Sequence, residues 1–152
     1  MSLQIERVPA DATESQALML ELWTELDALY GNGTGTPSRL ERMEAPGAAF
    51  VIARANGKAV GCAAIRPLTS DVAEMKRVFV QHRARGRGVG RTLIEKLEQI
   101  ARGEGFSEIW IETGLRQPDA IRLYESLGYT RRAAFGDYKD EPLSVCYEKR
   151  LK

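Results

Sequence analysis

The chain is poor in the side chains on which much enzyme chemistry rests. Among 152 residues there is one histidine, His82, and there are two cysteines, Cys62 and Cys146. A Ser-His-Asp triad is excluded unless His82 serves in it, and a multi-histidine metal site is excluded outright, so no metal site is expected. The N-terminus shows no basic region followed by an apolar one, so no signal peptide is expected and the cytoplasm is the default location. Two isolated cysteines in that setting read as buried thiols rather than a disulfide. No apolar run approaches the ~20 residues that span a bilayer. Basic and acidic residues number 22 and 21, for a net charge of +1. That balance gives no overall field to attract nucleic acid or a membrane surface, so neither is expected as a partner. Any positive patch has to be local.

What is present suits one domain over residues 1–152. The length supports a proper core, and 43% hydrophobic with 28% charged residues is ordinary for a globular chain. LQIERV, Leu3 to Val8, alternates as a first strand. Asp11 or Thr13 is placed to cap a helix from about Thr13 to Tyr30, with Leu18, Leu22, Leu26 and Leu29 at helical spacing and Trp23 and Tyr30 as core aromatics. GNGTGTP, Gly31 to Pro37, is a loop by composition, and a short helix is expected over Ser38 to Glu44. Asn56-Gly57 between two apolar runs predicts a type I′ hairpin, pairing Ala48–Ala55 with Lys58–Arg66. VAEMKRVFV continues the meander. Val89, Leu93, Ile94, Leu97, Ile100 and Ala101 make one helical stripe that Gly103 or Gly105 ends. SEIWIET, Ser107 to Thr113, is the next strand. Strand, helix, strand forces a parallel pair and a right-handed crossover. Pro118 opens a helix to Leu127 and Gly128 closes it. Strands near Tyr129–Arg132 and Leu143–Leu151 finish an α+β chain with a mostly antiparallel sheet.

Between the third strand of the meander and the helix that follows, Arg83 to Arg91 packs four arginines and three glycines into nine residues. A helix start carries unpaired N–H groups and partial positive charge. Gly86, Gly88 and Gly90 let backbone amides approach a phosphate, and Arg85, Arg87 and Arg91 add charged donors. The pattern lacks the Lys-Ser/Thr of a P-loop, and its glycines do not follow Gly-x-Gly-x-x-Gly. From the loop alone, a glycine-rich turn with solvated arginines stays open beside a phosphate cradle.

Arg85-Gly-Arg-Gly-Val-Gly90 resembles the Arg/Gln-x-x-Gly-x-Gly/Ala motif of the GNAT superfamily of N-acetyltransferases. EMKRVFV, IWIETG and Ala120-Ile-Arg-Leu-Tyr-Glu-Ser-Leu-Gly-Tyr129 are similar to the family segments around that motif. The likeness covers about Glu74 to Arg132; the first seventy residues match only in element order. It implies a GNAT-like mixed sheet with helices on both faces and one parallel crossover. It implies acetyl-CoA as co-substrate and transfer of the acetyl group to a primary amine, small-molecule or peptide, by direct attack in a ternary complex. Backbone amides from Arg87 to Arg91, Val89 included, would hold the pyrophosphate, with Arg85 and Gly86 in the same cofactor-binding motif. Val78, Phe79 and Val80 would border the pantetheine arm, Val78 and Val80 pairing with it through their backbone groups. Gln117 stands where many members carry an asparagine that touches the cofactor. Tyr124 aligns with the tyrosine that protonates the departing thiolate. A non-catalytic acyl-CoA-binding module of the same fold is the alternative.

Catalysis of that kind also needs a group to take the amine's proton. Glu74 and Glu112 are the acidic residues in apolar strands, where an unpaired charge is costly. Alternation sets Glu112 with Trp110 on the face opposite Ile109 and Ile111, so it reads as solvent-facing, and Glu74 is the favoured base. The loop Gly136 to Pro142 carries Asp137, Asp140 and Glu141 with Tyr138; by composition it reads as a solvated turn, while the resemblance implies that it borders the acceptor site, where an acidic lip would suit a cationic amine. Cys62 and Cys146 read as packed residues rather than acyl-carrying nucleophiles. An edge strand near the C-terminus leaves a homodimer open.

Overall fold

Asn56 and Gly57 adopt φ +52° and +84°, the left-handed pair that a type I′ turn requires, and they join two strands in register from Lys58 opposite Ala55. The computed structural model describes residues 2–31 and 40–151. Its elements are β1 (Leu3–Val8), α1 (Thr13–Tyr30), β2 (Ala49–Ala55), β3 (Lys58–Pro67), β4 (Val72–Val80), α2 (Val89–Gly103), β5 (Glu108–Gly114), α3 (Pro118–Ser126), β6 (Thr130–Arg132) and β7 (Ser144–Arg150). Short 3-10 turns lie at His82–Ala84 and Gly136–Asp140. Among the described residues, no helix is long and apolar enough to cross a membrane.

The strands form one sheet in the order β1-β2-β3-β4-β5-β7-β6. All neighbours are antiparallel except β4 and β5, which are parallel and joined through α2. The sheet is buried on both faces. On one, Val89, Leu93, Ile94 and Leu97 of α2 and Tyr124 of α3 pack on Val51, Ile65, Met75 and Ile111. Leu93, Ile94 and Leu97 are fully buried, and each contributes about 1.5–3 kcal/mol. On the other face, Leu18 of α1 packs on Phe50, Ile52, Cys62, Ala64 and Phe79. The edge near the C-terminus is β6, three residues long with two arginines, a short charged edge poorly suited to pairing with another copy.

Three local expectations are corrected. The residue capping α1 is Ala12, and no side chain bonds the helix start; Ser15 instead donates to the carbonyl of Pro9, which fixes the entry of the chain. Of the expected short helix the structure describes residues 40–44, which are not helical: residues 41–44 form turns, with Arg42 at φ +65°. The expected loop after Gly31 and residues 38–39 lie outside the described residues. On α1, only Ser15 and Leu18 are buried. Met19 and Leu22 are half-buried against the same core as Leu18, and Trp23, expected in the core, is only half-buried.

Candidate active site

β4 and β5 pair only from Val72 opposite Glu108 to Met75 opposite Ile111. Beyond that point β4 follows β3 and β5 follows β7. The cause of the parting is local. The β3–β4 register shifts between Cys62 and Ala64, and Arg77 takes φ +60°. Such a bulge bends the strand. The β4 edge from Lys76 to Val80 is therefore left without a strand partner on the β5 side.

A cavity of about 260 Å³ opens at this gap. Lys76, Arg77 and Val78 line it from β4, and Glu112 and Thr113 from β5. Tyr124 of α3 and Gln117 line it from below, Tyr138 from the turn after β6, and Met19, Leu22, Trp23 and Leu26 of α1 cover it. The half-buried apolar face of α1 is thus a wall of this cavity.

The two carboxylates have different settings. Glu74 is 2% exposed, and both its oxygens are engaged. Oε1 accepts from Nε and Nη2 of Arg66 at 3.3 and 3.2 Å. Oε2 accepts from the Tyr138 hydroxyl at 2.9 Å and lies 3.9 Å from Nζ of Lys76. Glu112 is half-buried and faces the cavity, contrary to the solvent-facing expectation; β5 does present it opposite Ile111, but α1 and the Tyr138 turn cover that face. Its Oε2 accepts from the Ser144 hydroxyl at 2.6 Å. Burial raises the Glu112 carboxyl above the usual carboxylate range, against the opposing Ser144 hydrogen bond.

Tyr124 is 5% exposed. Burial, with Glu112 adding, pushes its phenol above the usual range, so it stays protonated. Burial and then Glu74 do the same for Tyr138. Burial lowers the Lys76 ammonium, with Glu74 opposing; its Nζ donates to the Tyr138 hydroxyl at 2.8 Å. The Tyr138 turn is held by an aromatic ladder. Tyr138 meets Phe135 edge-on at 5.3 Å, Phe135 lies 5.3 Å from Trp110, and the Arg132 guanidinium sits 3.5 Å over Trp110. Only Tyr138 of this loop enters the cavity; Asp137, Asp140 and Glu141 are exposed outside it.

The glycine-arginine loop follows β4 directly and leads into α2. Gly86 and Gly88 sit at φ +77° and +80°, with open space where a side chain would project. Gly88 caps α2, whose first-turn amides have no i−4 carbonyl to bond. Gly90 serves another purpose. A Cβ there would lie 3.0 Å from Cδ2 of Leu123, so it permits α2 and α3 to approach. Val89 is 1% exposed and belongs to the core. The arginines diverge. Arg85 donates to the Val80 carbonyl at 2.8 Å and to Glu25 of α1 at 2.6 Å. Arg91 reaches the Ser126 hydroxyl at 3.4 Å, and Arg87 is exposed. Val78 lines the cavity, Phe79 is buried under α1, and Val80 packs toward α2. Gln117 donates to the Tyr30 hydroxyl at 3.4 Å. An open edge of β4, a loop with open space at Gly86 and Gly88, and unpaired helix amides, in succession, fit a long anionic molecule with an extended polar arm.

Cys62 is buried, its thiol pushed up to about 12 by that burial and donated to the Arg77 carbonyl. Cys146 is buried and likewise raised. Neither thiol is prepared as a nucleophile.

Sequence reasoning assigns no role at the site to Tyr30, Tyr138 or Lys76. Tyr30 read as core, yet its hydroxyl occupies the place a Cβ on Gly114 would take. Lys76 and Tyr138 converge only through tertiary contact; an inward-pointing lysine in an apolar strand was the one available signal.

The model of the Acetyltransferase (GNAT) family matches residues 15–129. The chain is 39% identical over 141 residues to an IAA acetyltransferase of Azospirillum brasilense, covering 90% of this chain and 92% of that one. A Klebsiella pneumoniae structure provisionally named an acyl-CoA N-acyltransferase superposes with a TM-score of 0.81 at 32% identity, over 99% of this chain and 98% of the other. The PaiA N-acetyltransferase of Thermoplasma acidophilum, solved with coenzyme A, has the same fold, with a TM-score of 0.73 at 17% identity over 99% of each chain.

Proposed function

Because the chain belongs to the GNAT family of acetyltransferases and uses acetyl-CoA, we propose that residues 1–152 act as one catalytic domain that acetylates a primary amine held in the β4–β5 cavity. The observation that carries this reading is the gap itself. It joins the phosphate-suited loop at one end to a cavity holding one carboxylate, Glu112, and two phenols, Tyr124 and Tyr138, at the other. In this reading the amides of Gly86 to Arg91 hold the pyrophosphate, and the open β4 edge from Val78 to Val80 bonds the arm. The Arg85 side chain ties the loop to α1 through Glu25.

The chemistry proceeds by direct attack. An ammonium has a pKa near ~10.4 in water and must lose a proton first. Glu112 is the base we assign, since its carboxylate faces the cavity and burial strengthens it as a proton acceptor. The amine nitrogen then bonds to the carbonyl carbon, and the carbon–sulfur bond breaks. The second nitrogen proton passes to solvent, and the leaving thiolate gains one. Tyr124 donates a hydrogen bond to that sulfur. Its phenol is a weaker acid than a thiol of pKa ~8.5, so it stabilises the thiolate more than it surrenders a proton. Glu74 holds Arg66, Tyr138 and Lys76 in place. With both cysteines buried, no acyl-enzyme is invoked.

Calorimetric titration with acetyl-CoA, with NAD and ATP as controls, followed by thiol release with an amine panel, tests the reading. Selective acetyl-CoA binding with amine-dependent thiol release is expected. Binding without turnover by any amine would instead mark a binding module.

A further inference from the structure

Resting on the acetyltransferase reading, we propose that the acceptor is a zwitterion: a primary amine bearing a carboxylate and an apolar side chain, its carboxylate held by Lys76. The amine is placed by Glu112 and Tyr124, which share the cavity with Lys76. Lys76 is the first β4 residue past the point where β4 and β5 part, so its side chain stands at the mouth of the gap.

Its ammonium has capacity to spare. An ammonium offers three donors. The Tyr138 hydroxyl takes one at 2.8 Å, and the Glu74 oxygen at 3.9 Å is beyond hydrogen-bond reach. The Glu74 charge is already matched by Arg66, which donates two hydrogen bonds to it. The charged groups acting on Lys76 are the cations Arg66 and Arg77 and the carboxylates Glu74 and Glu112. A ligand carboxylate in the cavity would accept from the donors of the Lys76 ammonium that Tyr138 leaves open. A polyamine would bring further positive charge against Lys76.

The remaining wall fixes the third element. Met19, Leu22, Trp23 and Leu26 present carbon to the cavity from α1, and an apolar side chain covers them. The acidic residues of the turn, expected to form a lip for a cation, lie outside on the exposed surface. The interior therefore selects differently from the rim.

The test compares matched acceptors that differ by one carboxylate: phenylalanine with phenethylamine and leucine with isopentylamine, plus spermidine, each at saturating acetyl-CoA. The amino acid of each pair is expected to have the higher kcat/KM, about 10- to 100-fold, mainly through KM, as one charge-assisted contact supplies. Lys76→Met should bring that ratio to about one, and Lys76→Arg should keep most of it. A purely structural Lys76 would alter both members of a pair alike and leave the ratio unchanged, which overturns the proposal. Equal or better acetylation of the decarboxylated amines or spermidine by the parent protein also overturns it, whether or not the variants fold, while leaving the acetyltransferase reading intact. Thiol release with no amine of any class, despite acetyl-CoA binding, would sink both.

Discussion

Glu74 and Glu112 lie on adjacent strands, and replacing each by glutamine should separate base from scaffold. Glu112→Gln keeps the volume and still accepts from Ser144, but it cannot take a proton. Loss of a positioned general base costs about 100-fold or more in kcat. Stability should change by no more than about 0.5 kcal/mol, because burial already penalises the charged form there. Glu74→Gln removes the charge that Arg66 faces in a nearly closed site. Breaking a buried pair costs about 3–5 kcal/mol. The Arg66 side chain keeps 21% exposure, so water recovers part and the lower figure applies. At about 2–4 °C per kcal/mol for this chain length, the melting temperature should fall by about 6–12 °C. The pH profile supplies a second readout. The base must be ionised to act, and its carboxyl is raised. Activity should therefore fall, as pH drops, through a pKa above the usual carboxylate range, and Glu112→Gln should abolish that limb. Thermal melts and kcat/KM against pH at saturating acetyl-CoA measure both. The assignment is refuted if Glu112→Gln keeps the parent rate and acid limb, or if Glu74→Gln melts like the parent yet loses the limb.

Tyr124→Phe should lower kcat about 10- to 100-fold, the worth of one hydrogen bond to a developing thiolate, with acetyl-CoA affinity by calorimetry nearly unchanged; an unaltered kcat would remove the phenol from the reaction. Gly88→Val forces a β-branched residue to φ +80° and covers the helix amides, so acetyl-CoA should bind at least about 10-fold more weakly, and parent-like binding would disprove the cradle. Gly114→Ala puts a methyl on the Tyr30 hydroxyl and must push that ring aside; the acceptor KM should change more than the acetyl-CoA KM, and Tyr30→Ala in the same chain should restore the melting temperature. A Gly114→Ala variant that melts and turns over like the parent would refute that placement of Tyr30.

Much of the chain is written locally. The hairpin at Asn56-Gly57, the α2 stripe and the Pro118 and Gly128 bounds of α3 follow from spacing and turn chemistry, and the structure reproduces them within a residue or two. The phosphate loop is legible for the same reason, since glycines at positive φ and a helix start are adjacent in sequence. Local signals misled where a partner was distant. The capping residue of α1 is Ala12, because Ser15 finds Pro9 instead. Trp23 has the spacing of a core residue, but the surface it faces is a cavity, and spacing reports which face a residue is on rather than what lies opposite.

The sequence by itself determined the elements, their order and the anion-suited loop, because each is encoded in residues within a turn or a strand of one another. Tertiary structure alone decided the chemistry of the cavity. The bulge at Arg77 parts two parallel strands, and only that parting sets Glu112, Tyr124, Lys76 and Tyr138 around one space. It also decided the fate of the carboxylates. Glu74 and Glu112 are alike in sequence, each an acid in an apolar strand. They differ because Arg66 and Tyr138 reach one of them, while the other is left facing the gap.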